Sequence, residues 1–111
     1  MIEWYEDLYL DGITKKNVQS IKKQIEKKKL KYPYFCVTIA TNENNLLDIM
    51  NVNELLFPYY ANKDIFIVGL ASTRKQAKYI AIAIVDKRYK ETGGFDVRKY
   101  FSSYRKIRPI R

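Results

Sequence analysis

Two stretches of the chain are apolar at nearly every position, Tyr34 to Ala40 and Ile65 to Ala71, and both are rich in β-branched and aromatic residues. A run without polar alternation fits a strand covered on both faces, so both are read as central strands of one sheet. Upstream, Val18, Ile21 and Ile25 form a thin apolar seam among Lys15, Lys16, Lys22, Lys23, Lys27, Lys28 and Lys29. That spacing predicts a helix over about residues 15 to 29, lying on the sheet by one edge. Thr14 is its expected N-cap, Ile13 and Val18 are spaced as a hydrophobic staple, and Pro33 ends the segment. Thr41 to Asn45 reads as a turn and Leu46 to Met50 as the other arm of a hairpin, although a short helix fits those five residues as well.

Further on, Asn51 and Glu54 have the spacing of a capping box for a short helix that Pro58 would end. Thr73 and Gln76 repeat that spacing at the start of a long helix, in which Ala77, Ile80, Ala81 and Ile84 face the sheet. Gly93 and Gly94 stop it with left-handed geometry, and Asp96 then caps a last short helix. There Phe95 and Tyr100 form a staple, and Val97, Tyr100, Phe101 and Tyr104 line one side. The predicted fold is α+β: a small, mainly antiparallel sheet of about three strands with two longer helices packed on it, in the order α-β-β-(short α)-β-α-α. Edges of so small a sheet need cover, which makes a homodimer through an edge strand or an aromatic patch an expectation.

With 111 residues and no linker-like stretch or repeat, the chain reads as one domain. Within it, residues 1–12 form an acidic aromatic segment, 13–104 the globular body and 105–111 a basic tail. The first residues resemble no secretory signal, no run approaches the apolar length of a membrane span, and the lone Cys36 cannot pair within the chain. Together these predict a soluble protein of the reducing cytoplasm.

Charge changes the picture more than composition does. Residues 1–11 hold Glu3, Glu6, Asp7 and Asp11 and no base, whereas the remaining hundred carry 21 Lys and Arg against eight acids, net +13. Such a body attracts nucleic acid or an acidic protein. The acidic segment also carries Trp4, Tyr5, Leu8, Tyr9 and Leu10, so it is expected to be ordered against the domain or a partner chain, where its carboxylates offset part of the basic surface.

The inventory of reactive groups points away from catalysis. Histidine is absent, one cysteine cannot build a zinc site of ordinary composition, and no phosphate-binding or nucleophile-elbow motif occurs. No metal or cofactor is implied. Two binding sites are candidates. The strand-turn-helix at 69–78 places Ser72 and Thr73 beside free helix amides, with Arg74 and Lys75 in the first turn, where cations oppose the helix dipole and an anion would be welcome. An ordinary capped helix with solvated cations explains the same residues. The other site comprises Lys15, Lys16, Lys22, Lys23, Lys27 and Lys28 of the first helix with Arg105, Lys106, Arg108 and Arg111 of the tail, which suit sequence-independent phosphate contacts. Tyr32, Tyr34, Tyr59, Tyr60 and Tyr104 offer stacking surfaces, but their positions also follow the apolar stripes.

Asp64-Ile65-Phe66-Ile67-Val68-Gly69-Leu70-Ala71, the following helix, and Glu91-Thr92-Gly93-Gly94-Phe95-Asp96-Val97-Arg98 together resemble an uncharacterised family of small Firmicutes proteins of unknown function. Asn45-Leu46-Leu47-Asp48-Ile49 and Asn53-Glu54-Leu55 are similar too, so the resemblance spans roughly residues 34 to 101. It implies a shared fold and a bacterial origin, and it transfers no site residue. The expectation is therefore a non-enzymatic binding or accessory module with a basic surface, nucleic acid being the first partner to consider. The alternatives are an acidic protein partner or a small phosphate ligand at 69–78.

Overall fold

The computed structural model describes residues 2–27, 29, 33–39, 46–56, 64–94, 97, 100 and 101. The elements run β1 (Ile2–Leu10), α1 (Gly12–Glu26), β2 (Phe35–Ile39), β3 (Leu47–Asn51), a 3-10 helix (Val52–Leu56), β4 (Ile65–Ala71) and α2 (Arg74–Thr92). Val97, Tyr100 and Phe101 are also helical. The fold is α+β, but the sheet has four strands in the order β1-β4-β2-β3 and is mixed: β1 runs parallel to β4, while β4, β2 and β3 are successively antiparallel.

The fourth strand is the main refinement. Residues 2–10 are ordered against the domain, as expected, and the form they take is edge strand β1, paired with the centre of the sheet. Its pairing slips between Trp4 and Tyr9, where three extra residues are accommodated, and Glu6 and Asp7 stand exposed in that stretch. An irregular, charged edge discourages further strand addition, and it also erases the apolar alternation by which a strand is recognised. Of the expected central strands, β2 is buried at Cys36, Val37 and Thr38, and β4 is buried along its whole length. Leu47–Asn51 is a strand and not a short helix, and it forms a hairpin with β2.

Helix α1 begins earlier than its apolar seam suggests. Asp11, not Thr14, is the N-cap, and Thr14 takes the N3 position of a reciprocal capping box. Ile13 is 58% exposed, so it staples nothing, and the helix ends at Glu26 instead of Lys29. At α2 the expected caps are present: Thr73 Oγ1 accepts from the Gln76 amide, and Gly93 closes the helix at φ 76°. The Asn51 side chain accepts from the Asn53 amide at 2.9 Å at the start of the 3-10 helix. Pro58, Phe95, Asp96 and Tyr104 lie outside the described residues.

One face of the sheet packs on α1 through Ile21, Ile25, Cys36, Ile65, Ile67 and Leu70, and the other packs on α2 through Tyr5, Phe66, Val68, Ile80, Ile84 and Phe101. The alternation along β4 changes phase between Ile67 and Leu70, because Val68 is a bulged residue opposite β2. Gly69 follows it. A Cβ there would lie 2.9 Å from Ile80 Cγ2 and 3.1 Å from the Tyr9 carbonyl oxygen, so glycine permits α2 and β1 to approach together. Among the described residues, no helix is long and apolar enough to cross a membrane.

Candidate functional site

The parallel pair β1 and β4 ends at one end of the sheet, and the two strands then diverge. β1 passes through Asp11 into α1 on one face, whereas β4 passes through Ser72 and Thr73 into α2 on the other. In open α/β sheets the crevice outside such strand ends is where ligands are commonly held. Here it is a shallow cleft of about 460 Å³ bordered by Asp11, Ile13, Lys16, Ser72, Thr73 and Gln76.

The anion in this cleft is the chain's own. Asp11 Oδ2 accepts from the Ser72 amide at 2.8 Å and the Ser72 hydroxyl at 2.6 Å. Its Oδ1 accepts from the Thr14 amide at 2.8 Å and lies 2.7 Å from the Thr14 hydroxyl. That hydroxyl is buried and has one proton; the Leu70 carbonyl of β4, at 3.0 Å, and the Asp11 carbonyl, at 3.3 Å, are also acceptors in its reach. Partial burial alone would raise the Asp11 pKa, but the donors from Ser72 and Thr14 outweigh it and hold the carboxyl at about 2. One carboxylate therefore caps α1 and ties it to the turn before α2. The cue in the sequence is the Asp11-x-x-Thr14 spacing of a capping box, which makes Thr14 the N3 residue and not the cap.

Of the four residues expected to hold an external anion, Ser72 is committed to Asp11 and Thr73 caps α2. Arg74 turns away, its guanidinium 5.1 Å from the centre of the Phe35 ring on β2, and Lys75 is exposed. A phosphate in this turn would have to displace an internal carboxylate held by the Ser72 amide and hydroxyl and the Thr14 amide.

The lysines of α1 make a different surface. The helix buries Thr14, Ile21 and Ile25. Each of Lys16, Lys23 and Lys27 stands two residues, about 200°, past one of these, so on either side of the non-helical Asn17 all three point away from the sheet. Lys15 is exposed beside this stripe, and Lys22 bends over Trp4 of β1, its Nζ 5.2 Å from the ring centre. Toward the end of the helix, Ser20, Lys23, Gln24, Lys27 and Lys29 border a second open groove of about 400 Å³. The first turn of α1 holds no acid. On α2, by contrast, Arg88 pairs with Glu91 and Lys90 with Asp86. Lys28, Arg105, Lys106, Arg108 and Arg111 lie outside the described residues, as do Tyr32, Tyr59 and Tyr60, while Tyr34 is half-buried.

The aromatics of β1 serve the core. Tyr5 is buried, packs edge-on against Phe66 and Phe101, and shares a 3.4 Å hydroxyl contact with Tyr100. Burial first, and the Tyr100 contact second, push its phenol well above the usual range. Arg88 lies 4.1 Å over the Tyr100 ring, which fastens α2 to the following helical residues. Cys36 is fully enclosed, and its thiol is pushed up to about 12 by burial, with the Glu54 charge adding to it. Among the described residues, no group of three or more Cys, Asp or Glu stands together as a metal site would require. Comparisons with protein-family models, curated proteins and solved structures give no match to this chain.

Proposed function

We propose that the chain is a non-enzymatic accessory module that binds nucleic acid through phosphate contacts made by the outer face of α1. The observation that carries this reading is the stripe of Lys16, Lys23 and Lys27, set opposite the buried side of the helix and flanked by Lys15 and Lys22. Lys16, Lys23 and Lys27 do nothing for the packing of α1 on the sheet. They remain hydrated and free to exchange counterions for phosphates, which is the source of affinity in sequence-independent binding. The 69–78 turn is the weaker candidate, since its best donors already serve Asp11. An acidic protein would meet the same charges and is the second reading. Bacterial origin and a reducing cytoplasm complete the proposal, on the family resemblance and the lone buried thiol.

The test is fluorescence anisotropy with labelled single- and double-stranded DNA and RNA across a salt series. With three to five lysines in contact, affinity should fall by about 40- to 500-fold between roughly 50 and 200 mM salt. Replacing Lys16, Lys23 and Lys27 by Ala should lower affinity at least tenfold and flatten the salt slope by about 2.7. Absent or salt-insensitive binding, or a triple variant that binds as the native chain does, overturns the nucleic-acid reading. Binding to polyglutamate without binding to nucleic acid would favour the acidic-protein reading.

A further inference from the structure

Helix α2 is apolar on two sides. Ala77, Ile80 and Ile84 are buried against the sheet, yet Tyr79, Ile82 and Tyr89 are 53%, 64% and 51% exposed on the outer side. The outward residues Lys75, Tyr79, Ile82, Asp86 and Tyr89 follow the alternating four- and three-residue spacing of a coiled-coil seam. An exposed apolar strip of this kind marks an interaction surface.

We propose that a second copy of this chain covers it, with the two α2 helices packed antiparallel across a two-fold axis. The choice of occupant and direction rests on the charges in the seam. Antiparallel packing centred between Tyr79 and Ile82 sets each Tyr79 against the second copy's Ile82 and each Lys75 against the second copy's Asp86. Parallel, in-register packing instead sets Lys75 against Lys75 and Asp86 against Asp86, which is repulsive at both ends. The seam's one base and one acid thus select self-pairing in a single direction. In the monomer Asp86 is held by Lys90 at 2.9 Å, but both side chains are mostly exposed, and such pairs are weak enough to exchange partners.

The size of the surface sets the strength. Tyr79 and Ile82, which meet across the axis, expose about 200 Å² per chain, and with flanking stems the pair would bury under about 1,000 Å²; Tyr89, opposite residue 72, lies past the paired stretch. That is the lower end of specific interfaces and corresponds to a dimer of micromolar, not nanomolar, affinity. Because α1 lies on the opposite face of the sheet, pairing through α2 leaves both lysine stripes outward, so dimerisation and nucleic-acid binding stand or fall separately.

Sedimentation equilibrium of the native chain from about 5 to 500 µM should show reversible dimerisation with a Kd of about 50 µM. Ile82→Asp should leave the far-UV circular dichroism unchanged, since its side chain is already 64% exposed, and should weaken the dimer more than tenfold. Lys75→Glu and Asp86→Lys should each weaken it about tenfold, and the double reversal should restore it. A native chain that stays monomeric at about 500 µM overturns the proposal. So does an Ile82→Asp variant that dimerises normally, or charge reversals that have no effect singly or fail to rescue each other.

Discussion

Asp11→Asn tests the tie between the two helix starts. Asparagine keeps one carbonyl oxygen and caps helices well, so the bond to the Thr14 amide survives. Its amide nitrogen then faces the Ser72 N–H, which loses its acceptor, while the Ser72 hydroxyl can turn and accept instead. The loss is one charge-assisted hydrogen bond, about 1.5–3 kcal/mol where buried and nearer the lower figure here, because water reaches the site. The lowered pKa expresses the same hydrogen bonds as a second figure. Moving the carboxyl from 3.8 to about 2 corresponds to roughly 2.4 kcal/mol at full value, and solvent screening of a partly exposed group reduces it to about 1–1.5 kcal/mol. Both routes place the deficit of the variant near 1.5 kcal/mol at pH 7.

The sign of its pH dependence follows from the direction of the shift. A carboxyl whose pKa is lower in the folded than in the unfolded state contributes stability that is complete above about pH 5 and disappears as pH falls toward 2. The native chain should therefore lose its advantage over Asp11→Asn with acidification, retaining about half at pH 3 and little at pH 2. Urea unfolding followed by circular dichroism at pH 7, 5 and 3 measures this directly. A deficit under about 0.5 kcal/mol at pH 7, or one equally large at pH 3, would refute the account of Asp11 as an ionised tie between α1 and the turn before α2. A double-mutant cycle with Ser72→Ala should return a coupling of about 1 kcal/mol.

The bulge and the buried thiol yield two further outcomes. Gly69→Ala forces a methyl group against Ile80 Cγ2 and the Tyr9 carbonyl, and should cost about 2 kcal/mol, lowering Tm by roughly 8 °C in calorimetry; an unchanged Tm would mean that β1 and α2 are not in close contact there. Cys36, enclosed and held protonated by burial, should resist a thiol-disulfide reagent at pH 8 until urea opens the fold; stoichiometric reaction within minutes in native buffer would contradict its place in the core.

How much of this was legible in the residues depends on where each contact partner lies along the chain. β2, β4 and α2 could be read directly, because a strand enclosed on both faces writes an unbroken apolar run and a helix writes its caps within four residues of its ends. The lysine stripe of α1 follows from the same local periodicity once Ile21 and Ile25 are taken as its buried side. β1 could not be read in this way. Its partner is some 60 residues away, its irregular stretch carries Glu6 and Asp7 to solvent, and the aromatics that anchor it looked equally suited to a docking arm.

The role of Asp11 belongs to the tertiary structure alone. Locally it is a helix cap, and nothing near it in sequence points to Ser72, 61 residues on. Only the parallel pairing of β1 with β4 brings the two turns together, and it does so where their helices leave on opposite faces of the sheet. The turn that looked open to a phosphate is thereby filled from within. Local sequence determined the helices, the buried strands and the charge they display; which charges meet, and which donors remain for an outside ligand, was decided by a pairing between segments that the chain keeps far apart.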